Sequence, residues 1–426
     1  MIFFCMLHLL RLFKIIKTSK RKDAVMKQLK MAGWLVAALI TGWIGMKGYY
    51  YFFDATHPTL LVSGLQDGGY YAGDVSCVVN GEHPYKVKNV TVLLDGQPLT
   101  YNFAIGKASF EYPFTLATRA LPNGKHKVEV KIVDGTFKAH ATEKQYDIMV
   151  DNTPLQAAFA KQSADLRVFQ GKTLHVQFQT SKPLKKATAK LFSQEFDCFP
   201  ESKGSSVYEA FIPVECEEKP NEYLLSIDCY DHVDNFVPLE GKVQVVPFPF
   251  KKHTLHVDAK KIEEEKELGE SHQKLNDELK RLALASPKEK LWNGNFYVPT
   301  EVIRISTEFG TVRTTQERGR YAHKGIDIVN HPRSVVWAPQ DGQVVIKERY
   351  AYSGNTVVID HGHGVFSLFY HLDSFPEELE VGQNIKKGNP LGKLGKTGYA
   401  TGYHLHWEMR VNDVQIDPLE WTKPGF

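Results

Sequence analysis

Cysteine is scarce in this chain: five residues among 426, one (Cys5) near the start and four (Cys77, Cys198, Cys216, Cys229) spread over the rest. The last three fall within one stretch, and two readings of them stay open: a Cys198–Cys216 bridge across a hairpin with one thiol left over, or small buried hydrophobes. An excess of one charge is missing too, since the formal net charge is only +3. With 42% hydrophobic and 24% charged residues, the composition excludes both a fully disordered chain and a multi-span membrane protein. The average conceals an uneven distribution. Residues 1–30 hold Arg11, Lys14, Lys17, Lys20, Arg21, Lys22, Lys27 and Lys30 against Asp23, a local charge of +7, so the remainder carries −4. A mildly acidic body lacks the clustered cations that hold phosphates, which argues against a nucleic-acid partner.

Long hydrophobic runs are also rare, which makes the exception informative. Met31–Met46 has no charged residue and is followed by Lys47 and the aromatic cluster Tyr49, Tyr50, Tyr51, Phe52 and Phe53. With Lys47 reaching outward and the aromatics at the far interface, residues 31–53 are long enough to span a bilayer. The basic residues 1–30 ahead of the span place the N-terminus in the cytoplasm and everything after it outside, by the positive-inside rule. The expectation is a single-pass anchor in the cytoplasmic membrane. A cleaved signal peptide has the same basic-then-apolar pattern, but no A-x-A site follows the run. Residues 1–13 are apolar yet too short to span, and Met26 or Met31 are alternative starts.

At roughly 150 residues per domain, 426 residues imply two to four domains. Over 58–152, short runs such as Val90, Val92, Leu94 and Val128, Val130, Ile132 alternate with Asp95-Gly96, Asn123-Gly124 and Asp134-Gly135. Period-2 apolar positions bounded by such turns read as hairpins of a β-sandwich. Residues 155–248 repeat the scheme, with Leu174, Val176 and Phe178 alternating, so two tandem β modules are expected. The segment LPNGKHKVEVKIVDG, closing on Asp151-Asn152-Thr153-Pro154, resembles the immunoglobulin-like modules of bacterial surface proteins. Neither module displays a chemical constellation; His232, among acids, reads as a solvated turn. Both serve as spacers or as surfaces for a protein partner. Residues 256–286 turn charged, with Leu268, Leu275, Leu279 and Leu282 forming one stripe of a helix that Pro287 ends. That stripe covers either a neighbouring domain or a partner helix.

Chemistry concentrates in residues 292–426. His404 and His406 are two apart in HLHWEMRV, so in a strand both project to one face, with Leu405 and Trp407 on the other. His323 and Asp327 bracket Gly325, read as a turn folding both side chains toward one centre. Two imidazoles and a carboxylate are the three N/O donors of a catalytic zinc that keeps one position open, and the set contains no thiolate. The segments FGTVRTTQERGRYAHKGIDIV, WAPQDGQVV, GNTVVIDHGHGVFSLFYHL and VGQNIKKGNPLGKLGKTGYATGYHLHWEMRVN resemble the M23 zinc peptidases, the lysostaphin- and LytM-like endopeptidases, over residues 296–420.

That resemblance implies a mostly antiparallel β domain with a peptide groove. It implies Zn2+ held by His323, Asp327 and His406, His371 and His404 as the catalytic pair, and Arg313 lining the groove or pairing with an acid. Sequence does not divide the roles of His371 and His404. His361 and His363 lie in a glycine-flanked turn and His331 precedes Pro332; all three are expected to be structural, as is Glu408, expected to point away from the metal. The fold expected is mainly β: a transmembrane helix, two immunoglobulin-like sandwiches, a helical linker and a LytM-like peptidase domain. The function expected is hydrolysis of peptide cross-links in peptidoglycan. The alternatives are a LytM-like regulator of wall amidases without enzymatic activity, and an enzyme inhibited by its own modules.

Overall fold

The computed structural model describes residues 22–160, 166–254, 268–315 and 319–424. The basic residues 1–21 and the first half of the expected linker helix lie outside the described residues. The protein is mainly β. It divides into two compact units, residues 1–153 and 154–426, which are described separately.

In the first unit, helix α1 (Lys22–Phe52) includes a segment, Met26–Phe52, of 27 residues that is long and apolar enough to cross a membrane. Its mid-helix side chains, including Trp34 and Leu39, are exposed all round, while at its C-terminal end Tyr51 and Phe52 pack on Phe137 and Tyr51 also meets Tyr85. The β module that follows forms one hydrogen-bonded sheet instead of two separate ones. Two 21-residue strands, Asp74–Leu94 and Gln97–Ala117, form a long hairpin with register shifts between Glu82 and Leu93. The hairpin bends at those shifts. Its halves fold around a shared core in which Val79 and Leu116 meet Val90, Val130 and Ile132. Just past α1, Asp54 and Asp134 face the buried His83, each carboxylate 3.6 Å from its Nε2.

In the second unit, residues 157–246 form a true two-sheet sandwich with five and four strands. Its alternating residues Leu174, Val176, Phe178, Ile227 and Val243 fill the space between the sheets. The four described cysteines are free thiols, and Cys198 and Cys216 form no bridge. Cys198 belongs to the sandwich interior, whereas Cys216 joins a different core, shared with the C-terminal domain.

That C-terminal domain is built on an antiparallel sheet of ten strands. Its central order is Arg304–Thr307, Ile326–Val329, Leu405–Val411, Val365–Ser374, Gly354–Asp360 and Gly342–Tyr350. One face buries Leu405, Trp407, Met409 and Phe369 in the main core. The other carries Phe366, Leu368 and Tyr370, and onto it packs helix α2 (Gly269–Ala285). Leu275 and Leu279 of the expected stripe are fully buried there, with Leu282 partly so. The stripe therefore covers the chain's own sheet. Leu284, off the stripe, is 86% exposed.

The sandwich and the C-terminal domain share apolar interior. Phe211 packs with Trp292 and Trp421, and Phe199 stacks on His363 at 4.0 Å. Around this contact Lys290 pairs with Glu209, Lys324 with Glu217 and Lys172 with Asp417. Glu420 accepts a hydrogen bond from the Thr173 amide at 2.8 Å. Burial pushes the Glu420 carboxyl up to about 7, so it is taken up protonated near neutrality. A carboxyl raised on folding stabilises the fold at low pH and loses that contribution as pH rises through its folded value. The melting temperature should therefore fall by several degrees from pH 5 to pH 8, and Glu420→Gln should flatten that dependence, as calorimetry across the range would measure.

Candidate metal centre

The centre is assembled by strand register. Ile326–Val329 pairs with Leu405–Val411 so that Asp327 lies directly opposite His406. Directly opposite residues share a face, so the carboxylate and the imidazole emerge together. His406 Nδ1 is 2.9 Å from Asp327 Oδ1. His323 closes the triangle, its Nε2 3.1 Å from Asp327 Oδ1 and 3.2 Å from His406 Nδ1. Its backbone is fixed by mutual hydrogen bonds with Gly310 and Thr311.

Gly325 is needed here for a reason other than the turn expected. A Cβ at Gly325 would lie 2.6 Å from His406 Nε2 and 2.8 Å from the Trp407 carbonyl oxygen. The missing side chain makes room for the imidazole.

These three donors are the group among the described residues whose ligand atoms converge, all within 4.8 Å of one another. Four ligands at about 2.0–2.1 Å around a tetrahedral ion stand roughly 3.3 Å apart. The observed separations are close to that edge length, so the residues fit a zinc-sized cation. Their electrostatics agree. Burial raises Asp327, but the two imidazoles at hydrogen-bond distance outweigh it and hold the carboxyl well below the usual range. His406 is pulled down by burial, yet Asp327 and Glu408 hold it at about 9. The negative groups around this imidazole thus favour a positive charge at the spot where the ligand atoms meet.

His371 and His404 stand beside the triangle, ring centroids 4.8 Å apart. His371 sits where its strand leaves Leu405–Val411 and turns to pair with Pro390–Leu394, in the left-handed region at φ 63°. Such a conformation is costly for a residue with a side chain and here redirects the imidazole. Its Nδ1–H donates to the Thr397 carbonyl at 2.9 Å, leaving Nε2 with its lone pair. Burial, with His404 and His406 close by, lowers His371 to about 3, so it is neutral. His404 donates from Nδ1 to the Gly402 carbonyl, and its Nε2 is 3.7 Å from Asp327 Oδ1.

Arg313 pairs with an acid, and that acid is Asp327, 3.7 Å away; Arg313 also donates to Thr307 Oγ1. His361 is buried between the Asp341 carbonyl and Ser367 Oγ, His363 stacks against Phe199, and His331 is exposed. None of the three joins the centre. Glu408 does not point away. Positions 404, 406 and 408 share strand parity, and Glu408 Oε2 lies 3.7 Å from His406 Nε2. Tyr370, opposite His406 in register, stacks on its ring at 5.1 Å and 10°. The alternation of HLHWEMR places Glu408 with the histidines, whereas Tyr370 is visible only once the strands are paired.

Residues 321–418 match the model of Peptidase family M23, and this part of the chain is an M23 peptidase domain. The DD-carboxypeptidase/endopeptidase Mpg of Neisseria meningitidis serogroup B is 34% identical over 132 residues, 31% of this chain and 30% of that protein. Peptidoglycan DD-endopeptidase ShyC of Vibrio cholerae is 33% identical over 121 residues, 28% of each chain. The chain thus spans about a third or less of the length of these relatives. Among solved structures, the catalytic domain of lysostaphin from Staphylococcus simulans aligns at 25% identity and a TM-score of 0.25, covering 28% of this chain and 91% of that one.

Purified protein is expected to hold about one zinc per chain by elemental analysis. His406→Ala should abolish it, and Gly325→Ala should lower it by displacing the imidazole.

Proposed function

We propose that the chain is a membrane-anchored zinc endopeptidase that hydrolyses peptide cross-links of peptidoglycan outside the cytoplasmic membrane. The observation that carries this reading is the convergence of His323, Asp327 and His406, with His371 and His404 beside them, inside an M23 peptidase domain. The relatives named as peptidoglycan DD-endopeptidases support the substrate class and favour a bond between two D-configured residues. Helix α1 supports the anchor, with the sandwich and peptidase domain on the wall side.

His323, Asp327 and His406 would hold a zinc ion, which would supply Lewis acidity toward the scissile carbonyl and lower the pKa of a water toward about 7. The chain's own residues handle the protons. His371, neutral and fixed by Thr397, presents Nε2 to orient the attacking water and take its proton. The water oxygen adds to the carbonyl carbon, and the proton passes to the departing amine as the C–N bond breaks. His404, fixed by Gly402, faces the same space and is placed to stabilise negative charge on the carbonyl oxygen. A regulator of amidases has no use for a complete donor set, and all five residues are present.

Full-length protein in detergent should release new muropeptides from sacculi, detected by mass spectrometry, and lose that activity to a chelator. No release, or release indifferent to chelator, overturns the reading. His371→Ala and His404→Ala should each lower kcat by about 10²–10⁴ while retaining zinc. In cells the chain should stay with membranes through an alkaline wash; release of a shortened soluble form would mark a cleaved signal instead.

A further inference from the structure

Helix α2 lies outside the residues that match the peptidase family, yet a chain of polar contacts leads from it to the centre. Asn276 Oδ1 accepts a hydrogen bond from Arg410 Nη2 at 2.8 Å. Arg410 Nε donates to Glu408 Oε1 at 2.5 Å, and Arg410 Nη1 donates to Asp413 at 2.9 Å. Glu408 turns its other oxygen toward His406 Nε2, 3.7 Å away. Glu408 and Arg410 are both 3% exposed, so neither can exchange these partners for water. The same helix buries Leu275 and Leu279 in the cluster containing Tyr370, the ring stacked on His406. Both the polar edge and the flat face of this imidazole are thus supported from α2.

We propose that α2 is a structural part of the metal centre, with Asn276 a positioning residue acting through Arg410 and Glu408 on His406. With Nδ1 as the ligating atom, Nε2 carries the hydrogen, and an acceptor beyond Nε2, such as a carboxylate, favours that tautomer. Glu408 can serve only if its direction is fixed, and Arg410 fixes it through the contact between Nε and Oε1. Arg410 has a planar fork whose orientation is set by three acceptors, one of them from α2. Removing Asn276 frees one arm of the fork and lets Glu408 drift from the imidazole. The helix, a connecting element by sequence, thereby becomes a condition for metal affinity.

This inference rests on reading His406 as a metal ligand. Zinc dissociation constants would be measured on full-length protein by competition with a chromophoric chelator, alongside kcat, KM and melting temperature of the metal-free form. Asn276→Ala should raise the dissociation constant by about threefold to tenfold, less than the 10–100-fold typical of a direct ligand partner. It should lower kcat with KM unchanged. Asn276→Asp, which keeps the acceptor, should restore both, and Leu284→Ala on the exposed side of α2 should change neither. A wild-type zinc affinity in Asn276→Ala overturns the proposal, whether or not the melting temperature falls. A wild-type protein that binds no zinc instead removes the underlying reading of the centre.

Discussion

The register between Ile326–Val329 and Leu405–Val411 is the constraint on which the domain depends. It sets Asp327 opposite His406 and, because side chains alternate, sends Leu405 and Trp407 into the main core. A slip by one residue would exchange the two sets, placing a tryptophan where the donors meet and an imidazole beside Phe369. Such a slip would bury unpaired polar groups and expose large apolar ones, and both costs act together. The apolar face thus enforces the polar one. The three donors stand 2.9–3.2 Å apart, Asp327 and His406 brought together by this register.

The same core explains why the second sandwich is more than a tether. Phe211 enters the interior that holds Trp292, Phe296 and Trp421, and the side chains at its edge pair across the junction: Lys290 with Glu209, Lys324 with Glu217. Lys324 lies between the candidate ligand His323 and Gly325. A loop of the sandwich is therefore tied to the segment that delivers the first ligand. Positioning of His323 depends on residues more than a hundred positions earlier in the chain.

Much of the centre was legible in sequence because its geometry is local. The parity of His404 and His406, and the opposite parity of Leu405 and Trp407, follow from strand alternation alone. The same rule applied to Glu408 places it with the histidines, and reading it as facing away was a miscount of parity. The role of Gly325 was not legible, since a glycine required by the approach of a ring 81 positions later looks identical to one required by a turn. Likewise the leucine stripe of α2 announced a buried face but not what it would meet, because Ile346, Val358 and Phe366 become one surface only when their three strands are in register. In the first β module the turns were readable, whereas the bend of two 21-residue strands arises from bulges that leave no periodic mark.

Along a single strand, positions 404, 406, 408 and 410 grade from partly open to closed, their side chains 15%, 12%, 4% and 4% exposed. The upper two carry the imidazoles of the candidate centre; the lower two form a buried ion pair under α2. A buried pair of this kind is a poor source of stability, since desolvating both charges costs about as much as their attraction returns, and apolar residues of the same volume would pack as well. Its presence beneath a candidate ligand is therefore better explained by orientation than by stability. Glu408 gives His406 Nε2 an acceptor, Arg410 gives Glu408 a fixed direction, and the helix gives Arg410 a fixed fork. What the fold gives up in apolar packing at these two positions, it recovers as a single tautomer of one imidazole.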